Sequence, residues 1–317
     1  MDLLDKVATH TNGDLSRGDR QVRFARADVY DALGWLSKRT RQYEMSLRYY
    51  KSGLEFADDH QVRKSLLNGL AATSKDLGYL QDAEQGYLTL LQMVRARDEK
   101  SDEVTVSNNL ASLYARMGAL DKAEELHDSA IEIADGISKT KSVYVAKAGL
   151  AFIKRMQEEY GSAAKLFRDT TEFFASRGEV FYADVSRAEL AFCLMKLGHF
   201  DETQDLLNEL RNSGDTLFQG RSYTIEAMMD VQQNGAFIPQ QVVDKYERGL
   251  DILRRSDSDE DLAFDLLQFG ECEIEGGRVQ SGVARVEEAR TIFERIQDLS
   301  EMGKINALLS SARAIRS

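Results

Sequence analysis

The sequence predicts an all-α repeat solenoid of about seven antiparallel helix pairs, and three observations support this fold class. First, the chain of 317 residues contains a single proline, Pro239, where average usage would give roughly 15. Because proline breaks helix interiors, such a chain can run as one helix after another. Second, one residue pattern recurs at intervals close to 40 residues. Third, small and large residues alternate within each recurrence at the spacing of packed helices.

The repeat appears when the sequence is compared with itself. In six of the seven units, a large apolar residue six positions into the unit is followed by a tiny one, as at Leu110 and Ala111. Subtraction of the starting positions gives intervals of 37, 40, 40, 40, 39 and 40 residues. A period of about 20–50 residues is typical of stacked repeats. The units start near Ala27, Lys64, Val104, Tyr144, Asp184, Tyr223 and Ala263.

The second half of each unit predicts a tight turn followed by a second helix. Glycine suits the turn because it adopts left-handed dihedral angles without steric cost, and it stands there as Gly78, Gly118, Gly198 and Gly277. An apolar residue follows, then a small one three positions later and a large one four positions after that. One helical face therefore carries all three. The small series is Ser46, Ala83, Ala123, Ala163, Thr203, Val242 and Gly282, and the large series is Tyr50, Tyr87, His127, Phe167, Leu207, Tyr246 and Val286.

Three segments follow from this pattern. Residues 1–22 are expected to form a short helix and a loop, residues 23–298 the seven helical hairpins, and residues 299–317 a helix that caps the array. A single hairpin cannot bury its apolar face alone, so neighbouring hairpins must stack. The sixth unit departs from the pattern, because Asp230 replaces the tiny residue and Pro239 stands in the second half.

This pattern resembles the tetratricopeptide repeat family over about residues 23–317. NNLASLYARMGALDKAEELHDSAIEIA (residues 108–134) is similar to a consensus unit, and RQYEMSLRYYKSGLEFA (residues 41–57) is similar to a second helix. The period near 40 resembles the repeats of kinesin light chains and of Rap-type peptide receptors. The resemblance implies a right-handed superhelix whose first helices line a concave groove. A HEAT-type solenoid has a similar period and remains an alternative, but it lacks this order of small residues.

Composition and motifs reduce the number of functional classes that fit the sequence. A formal net charge of −12 argues against a nucleic-acid partner, and no apolar run approaches the length of a membrane span. Cys193 and Cys272 are interpreted as buried reduced thiols, which fits a cytoplasmic protein. The sequence contains no GxxxxGK[ST], GxGxxG or GxSxG motif, and no histidine has metal-ligand spacing. We therefore expect no metal, no cofactor and no enzymatic activity, while a homo-oligomer stays open.

The family resemblance assigns certain first-helix positions to the groove, and five successive units place a base there. Asparagines and aromatic residues share the surface, and Asn109 matches an asparagine that contacts bound peptide backbone in the family. Such residues fit an extended, acidic protein or peptide segment. An alternative is that these bases stabilise the C-termini of the helices, since cations there interact favourably with the helix dipole. The predicted groove residues are Trp35, Lys38, Arg39, Asn68, Lys75, Asn108, Asn109, Ser112, Arg116, Phe152, Arg155, Phe192 and Lys196.

The sequence thus favours a protein-interaction scaffold or adaptor that binds an acidic, extended peptide segment. A peptide-sensing regulatory module of a signalling or transcription-control system is the alternative, because a solenoid bends easily when each repeat touches only its neighbours. An accessory subunit, or a domain of a larger signalling protein, is a third hypothesis.

Overall fold

The protein is helical throughout the described part of the chain. The computed structural model describes residues 20–235, 238–256 and 258–316, and these form fifteen α-helices and no strand. The predicted all-α fold class is therefore confirmed, whereas most of the expected N-terminal helix and loop lies outside the described residues. The helices are α1 (Arg20–Arg39), α2 (Tyr43–Leu54), α3 (His60–Asp76), α4 (Leu80–Arg95), α5 (Lys100–Arg116), α6 (Leu120–Gly136), α7 (Thr140–Met156), α8 (Tyr160–Ser176), α9 (Val180–Lys196), α10 (Phe200–Arg211), α11 (Thr216–Asn234), α12 (Gln240–Leu253), α13 (Asp259–Glu275), α14 (Val279–Arg295) and α15 (Met302–Arg316).

The helices follow one another as seven pairs, α1/α2 to α13/α14, and α15 is the additional C-terminal helix. Within each compact part of the chain, odd-numbered helices also pack on one another, as α1 does on α3, α9 on α11 and α11 on α13. This is the layered arrangement of stacked helical hairpins. None of the helices in the described ranges has the length and apolar character needed to cross a membrane.

The chain divides into two compact units, Met1–Leu113 and Tyr114–Ser317. In the first unit, a core cluster forms around Tyr50 and Leu66. In the second unit, one continuous core runs from α7 to α15 and includes Phe167, Phe192 and Phe269. The helix α5 ends at Arg116, within the second unit.

The hairpin turns explain the recurring glycines. Gly78, Gly118, Gly198 and Gly277 all have positive φ, between 75° and 79°. The next residue donates its backbone N–H to a carbonyl five positions earlier, for example Tyr79 N to Ser74 O at 2.8 Å. Six of the seven hairpins close in this way, which is the Schellman motif that satisfies the last carbonyls of a helix.

The small residues allow the paired helices to approach closely. Gly282 in α14 lies so near α13 that a Cβ atom on it would stand 2.6 Å from the carbonyl oxygen of Gly270. In the first unit, a Cβ atom on Gly34 would stand 2.6 Å from the Tyr50 ring, which leaves no room for a side chain. All seven predicted large positions are buried, with Phe167, Leu207 and Tyr246 each 0% exposed. The predicted pattern of small and large residues is therefore confirmed.

The sixth hairpin, α11/α12, has a different turn. Helix α11 ends at Asn234 and is followed by the capping residue Gly235, with φ of 72°. Helix α12 begins directly after Pro239, whose φ of −62° suits a helix start. Asp230, which replaces the tiny residue, is half-buried and paired with Lys245, with its Oδ2 atom 2.6 Å from the Lys245 Nζ atom. The departures in the sequence thus correspond to a locally different hairpin.

Candidate functional site

In the first compact unit (residues 1–113), the predicted bases Lys38 and Arg39 lie beside other side chains of that unit. The Lys38 Nζ atom is 3.1 Å from Asp76 Oδ2, and the Arg39 guanidinium lies 5.1 Å from the centroid of the Trp35 ring. Trp35 is 56% exposed. The Lys38 charge is therefore compensated, whereas Trp35 and Arg39 form an accessible aromatic and cationic pair.

The predicted amides of the first unit are linked to each other. Asn109 Nδ2 donates to Asn68 Oδ1 over 3.0 Å, and Lys75 Nζ donates to the Ser112 hydroxyl over 3.3 Å. Asn108 is half-buried on the same helix. Each amide in the Asn109–Asn68 pair keeps further donor and acceptor positions, so the pair could still contact a peptide backbone.

In the second unit, Arg155 is held from two sides. Its Nε atom lies 2.8 Å from Glu189 Oε2, and its guanidinium stacks 4.0 Å from the centroid of Phe264. Lys196 has no ion pair within the described residues, and its Nζ atom lies 5.5 Å from the centroid of Phe192. Phe152 packs edge to face on the core residue Phe167.

Arg116 contacts the C-terminal part of its own unit. Its Nε atom donates to the carbonyl oxygen of Gln297 over 3.1 Å, and its own carbonyl oxygen accepts from the N–H of Leu299 over 2.8 Å. No described carboxylate forms an ion pair with Arg116. This base is therefore hydrogen-bonded to a backbone carbonyl and forms no ion pair with a described carboxylate.

A cavity of about 570 Å³ lies in the second unit. Its walls come from the C-terminal ends of α7 and α9, from α13 and from α15, and two of the predicted residues, Arg155 and Phe192, line it. Ligand pockets commonly have volumes of about 300–1,000 Å³ and combine apolar walls with a few polar groups. The lining residues are Arg155, Met156, Gln157, Glu158, Tyr160, Phe192, Phe264, Gln268, Glu271, Ser300, Glu301, Lys304, Ala307, Leu308 and Ser311.

Two glutamine side chains present unused acceptors in this cavity wall. The Oε1 atoms of Gln157 and Gln268 are buried and accept no hydrogen bond from the described residues, and Gln268 is only 3% exposed. Glu301 makes no hydrogen bond or ion pair through its side chain within the described residues, and burial raises its pKa. A buried acceptor without a donor costs about 1–3 kcal/mol, so a ligand that supplies N–H donors would recover this free energy.

A buried network of charges supports the wall from behind. Glu189 bridges Arg155 and Arg221, and Arg221 also lies 2.9 Å from Asp261 Oδ1. Burial would raise the pKa of Glu189, but the charges of Arg155 and Arg221 hold it below its ordinary value. Burial raises the pKa of Asp265 to about 6 despite the opposing charge of Arg221. Arg155 is therefore fixed in position by its second-unit neighbours.

Sequence reasoning missed Glu189, Phe264 and Gln268, although a signal for them was available. Each stands one or five positions after the start of its roughly 40-residue sequence repeat, and the family resemblance already assigned these positions to the groove. The prediction considered bases, asparagines and some aromatic residues at these offsets and left out acids and glutamines. No group of three or more His, Cys, Asp or Glu side chains among the described residues could hold a metal ion.

No protein-family model matches the sequence, and a search of curated proteins finds no significant match. Solved structures do match. A Rap protein complexed with competence and sporulation factor is 14% identical, with a TM-score of 0.73 over 93% of this chain and 80% of that chain. Aspartyl phosphate phosphatase F from Bacillus subtilis is 12% identical, with a TM-score of 0.75 over 88% and 73%. A tetratricopeptide repeat protein from Parabacteroides merdae is 15% identical, with a TM-score of 0.60 over 91% and 99%.

A further match is the Rap conjugation gene regulator of plasmid pLS20 in complex with the Phr* peptide. It is 13% identical, with a TM-score of 0.68 over 90% of this chain and 79% of that chain. At these identities the similarity shows the fold. The predicted resemblance to tetratricopeptide and Rap-type helical repeats is confirmed at that level.

Proposed function

We propose that this chain is a peptide-binding module, which holds an extended segment of a partner protein or a free peptide in the cavity of the second unit. The observation that carries the proposal is the pair of unused buried acceptors, Gln157 Oε1 and Gln268 Oε1, beside the aromatic wall of Phe192 and Phe264. An extended peptide supplies backbone N–H donors for the amides and side chains for the aromatic wall.

An acidic side chain on the ligand is the finer part of the proposal. Arg116 and Lys196 keep positive charges without a described counter-ion, and either would attract a carboxylate. Arg155 is less available, because Glu189 neutralises it. Glu301 would repel an acid inside the cavity. The ligand's carboxylate is therefore expected beside Arg116 or Lys196 rather than beside Glu301.

A sensory role for the module is supported by comparison. Two of the similar structures are named as complexes with a factor or a peptide. We propose peptide binding as the function of this cavity, with regulation of a partner as the consequence. Another similar structure is named an aspartyl phosphate phosphatase.

The binding site can be tested with peptides selected from a random peptide library on the purified chain. Gln268→Leu removes one unused acceptor, and we expect affinity to fall about five- to a hundredfold, the range for a hydrogen bond to a buried group. Stability should stay the same or increase, since the wild-type oxygen is unsatisfied in the ligand-free chain. Gln280→Leu, an exposed position on α14, is the matched control. Selected peptides that bind Gln268→Leu as tightly as wild type would remove the cavity from the proposal.

The acidic preference needs a separate measurement. Selected peptides are compared with versions whose carboxylates are changed to amides, on wild type and on Lys196→Gln. A double-mutant cycle isolates the pairwise coupling from other effects. We expect the peptide carboxylate to couple to Lys196, and Lys165→Gln, an exposed lysine on α8, to show no coupling. Selected peptides without acidic residues would contradict the charge preference and leave the cavity proposal standing.

A further inference from the structure

A contact within the second unit joins residues that a stacked repeat array does not need to bring together. In such an array each repeat touches only its neighbours. Arg116, at the start of this unit, nevertheless bonds to Gln297 and Leu299, which lie 181 and 183 residues later by subtraction. The turn 297–301, between α14 and α15, thus connects the last hairpin of the unit to the end of α5.

The turn binds Arg116 through its backbone groups. The Gln297 carbonyl accepts from the guanidinium, and the Leu299 N–H donates to the Arg116 carbonyl, one of the last carbonyls of α5. The Leu299 carbonyl oxygen lies 3.7 Å from the position that a Cβ atom on Gly118 would occupy. A helix end and the glycine turn that follows it together receive the segment.

The segment that binds there is acidic. Residues 297–301 have the sequence QDLSE, and Asp298 Oδ1 accepts from the Ser300 N–H over 2.9 Å, which holds the turn. Glu301 continues into the cavity wall. The chain's own turn therefore shares two properties with the proposed ligand: it bonds to Arg116 through backbone groups, and it carries carboxylates.

Lys304 connects the two sides of the cavity. Its Nζ atom lies 2.8 Å from Glu271 on α13 and 3.8 Å from Glu158 in the turn between α7 and α8. The α13 contact lies within the C-terminal part of the array, whereas the Glu158 contact spans the cavity. Helix α15 itself is anchored by the buried residues Ile305 and Leu309.

We infer that the turn 297–301, together with Lys304, is an intramolecular clasp that holds Arg116 and closes the second unit around the cavity. This inference rests on the proposed function for its consequence, which is that an acidic peptide and the clasp compete for Arg116. Binding of such a peptide opens the clasp, while α15 remains docked on the last hairpin. A ligand can shift this equilibrium because it binds the open state better than the closed one.

Closure can be measured without any ligand. A carbodiimide couples a lysine amine to an adjacent carboxylate as an amide, and mass spectrometry quantifies the products. The Lys304–Glu158 product reports the closed clasp, and the Lys304–Glu271 product is the internal control. Leu299→Pro removes the N–H that bonds to Arg116, whereas Leu299→Ala keeps it and changes only a side chain that is 47% exposed.

We expect Leu299→Pro to lower the ratio of the Lys304–Glu158 product to the Lys304–Glu271 product about two- to tenfold, as for loss of one hydrogen bond. Leu299→Ala should leave the ratio as in wild type. Equal ratios in the proline and alanine variants would overturn the clasp. Circular dichroism checks that both variants keep the helical content of the wild type.

Competition is tested with a synthetic peptide of residues 296–302 and a scrambled peptide of the same composition. The peptide should bind Leu299→Pro about two- to tenfold more tightly than Leu299→Ala, because closure no longer opposes it. On wild type, saturating peptide should lower the Lys304–Glu158 product and spare the Lys304–Glu271 product. Because this measurement uses only wild-type protein, it tests the competition even if Leu299→Pro folds poorly. Equal binding of scrambled and native peptides, or an unchanged ratio at saturation, would refute internal competition.

The two proposals fail separately. Library peptides that bind Gln268→Leu as tightly as wild type would refute the cavity as a binding site, and the cross-linking result would still stand. An unchanged cross-link ratio in Leu299→Pro would refute the clasp while Gln268-dependent binding stands.

Discussion

Replacement of His127 should change how the stability of the protein depends on pH. His127 fills the large-residue position of the third helix pair, where it is only 4% exposed, and its ring lies against Gly149 so closely that no Cβ atom would fit there. Burial lowers the pKa of His127 from its ordinary value of 6.5 to about 4. The folded protein therefore holds this imidazole neutral at a pH where the unfolded chain protonates it.

The sign follows from proton binding. Between about pH 6.5 and about pH 4 the unfolded state binds more protons at this site than the folded state, so stability falls as pH decreases. The stabilisation is fully present above the unfolded pKa and is lost as pH falls toward the folded one. With one pKa unit worth about 1.4 kcal/mol, the shift corresponds to at most about 3 kcal/mol. Between about pH 7 and about pH 5 the expected loss is about 2 kcal/mol.

The assay is urea denaturation of wild type, His127→Phe and His127→Leu at a series of pH values. Phe167 and Leu207 fill the equivalent positions of the next two pairs, so both substitutions use side chains that this fold accommodates. Between about pH 7 and about pH 5, the free energy of unfolding of both variants should fall by about 2 kcal/mol less than that of the wild type, whatever their stability at neutral pH. A slope that stays as steep in both variants would refute the assignment of this pH dependence to His127.

Two further substitutions test the charge network and the helix packing. Glu189→Gln should destabilise the protein by about 3 kcal/mol or more, because Arg155 then loses its buried counter-charge, and urea denaturation that detects less than about 1 kcal/mol would contradict this. Gly282→Ala should destabilise by about 3 kcal/mol, since the added methyl group meets the backbone carbonyl of Gly270. Its control, Gly161→Ala near the start of α8, has open space around the new methyl group and should not destabilise the protein in the same measurement.

Most of the fold could be predicted because the repeat imposes local rules. The apolar residue that the pattern places after the turn glycine is Leu80, Leu120 or Val279 in three of the units, and these are the first residues of α4, α6 and α14. Gly78 has the left-handed conformation that its position in the pattern predicted. Each of these features depends on residues within one hairpin or on its immediate neighbour, and a sequence period records such relations directly.

The site was harder to predict because its groups are satisfied by side chains from other repeats. Lys38 and Arg155 both stand at predicted groove positions, yet their partners Asp76 and Glu189 come from the following helix pair. A list of bases at groove offsets therefore overstates the free positive charge. Reading the acids at the same offsets would have identified Glu189 as a partner of Arg155 and would have left Arg116 as a base without a counter-ion.

The contact between Arg116 and the turn 297–301 marks the limit of such reading. A sequence period near 40 residues reports the packing of each repeat on the next one. It does not predict a contact between residues that are four hairpins apart. Only the accumulated geometry of the helices brings Leu299 to Arg116, so small changes in any hairpin between them alter that distance. The same property makes the contact a sensitive reporter of any rearrangement of the hairpins between Arg116 and Leu299.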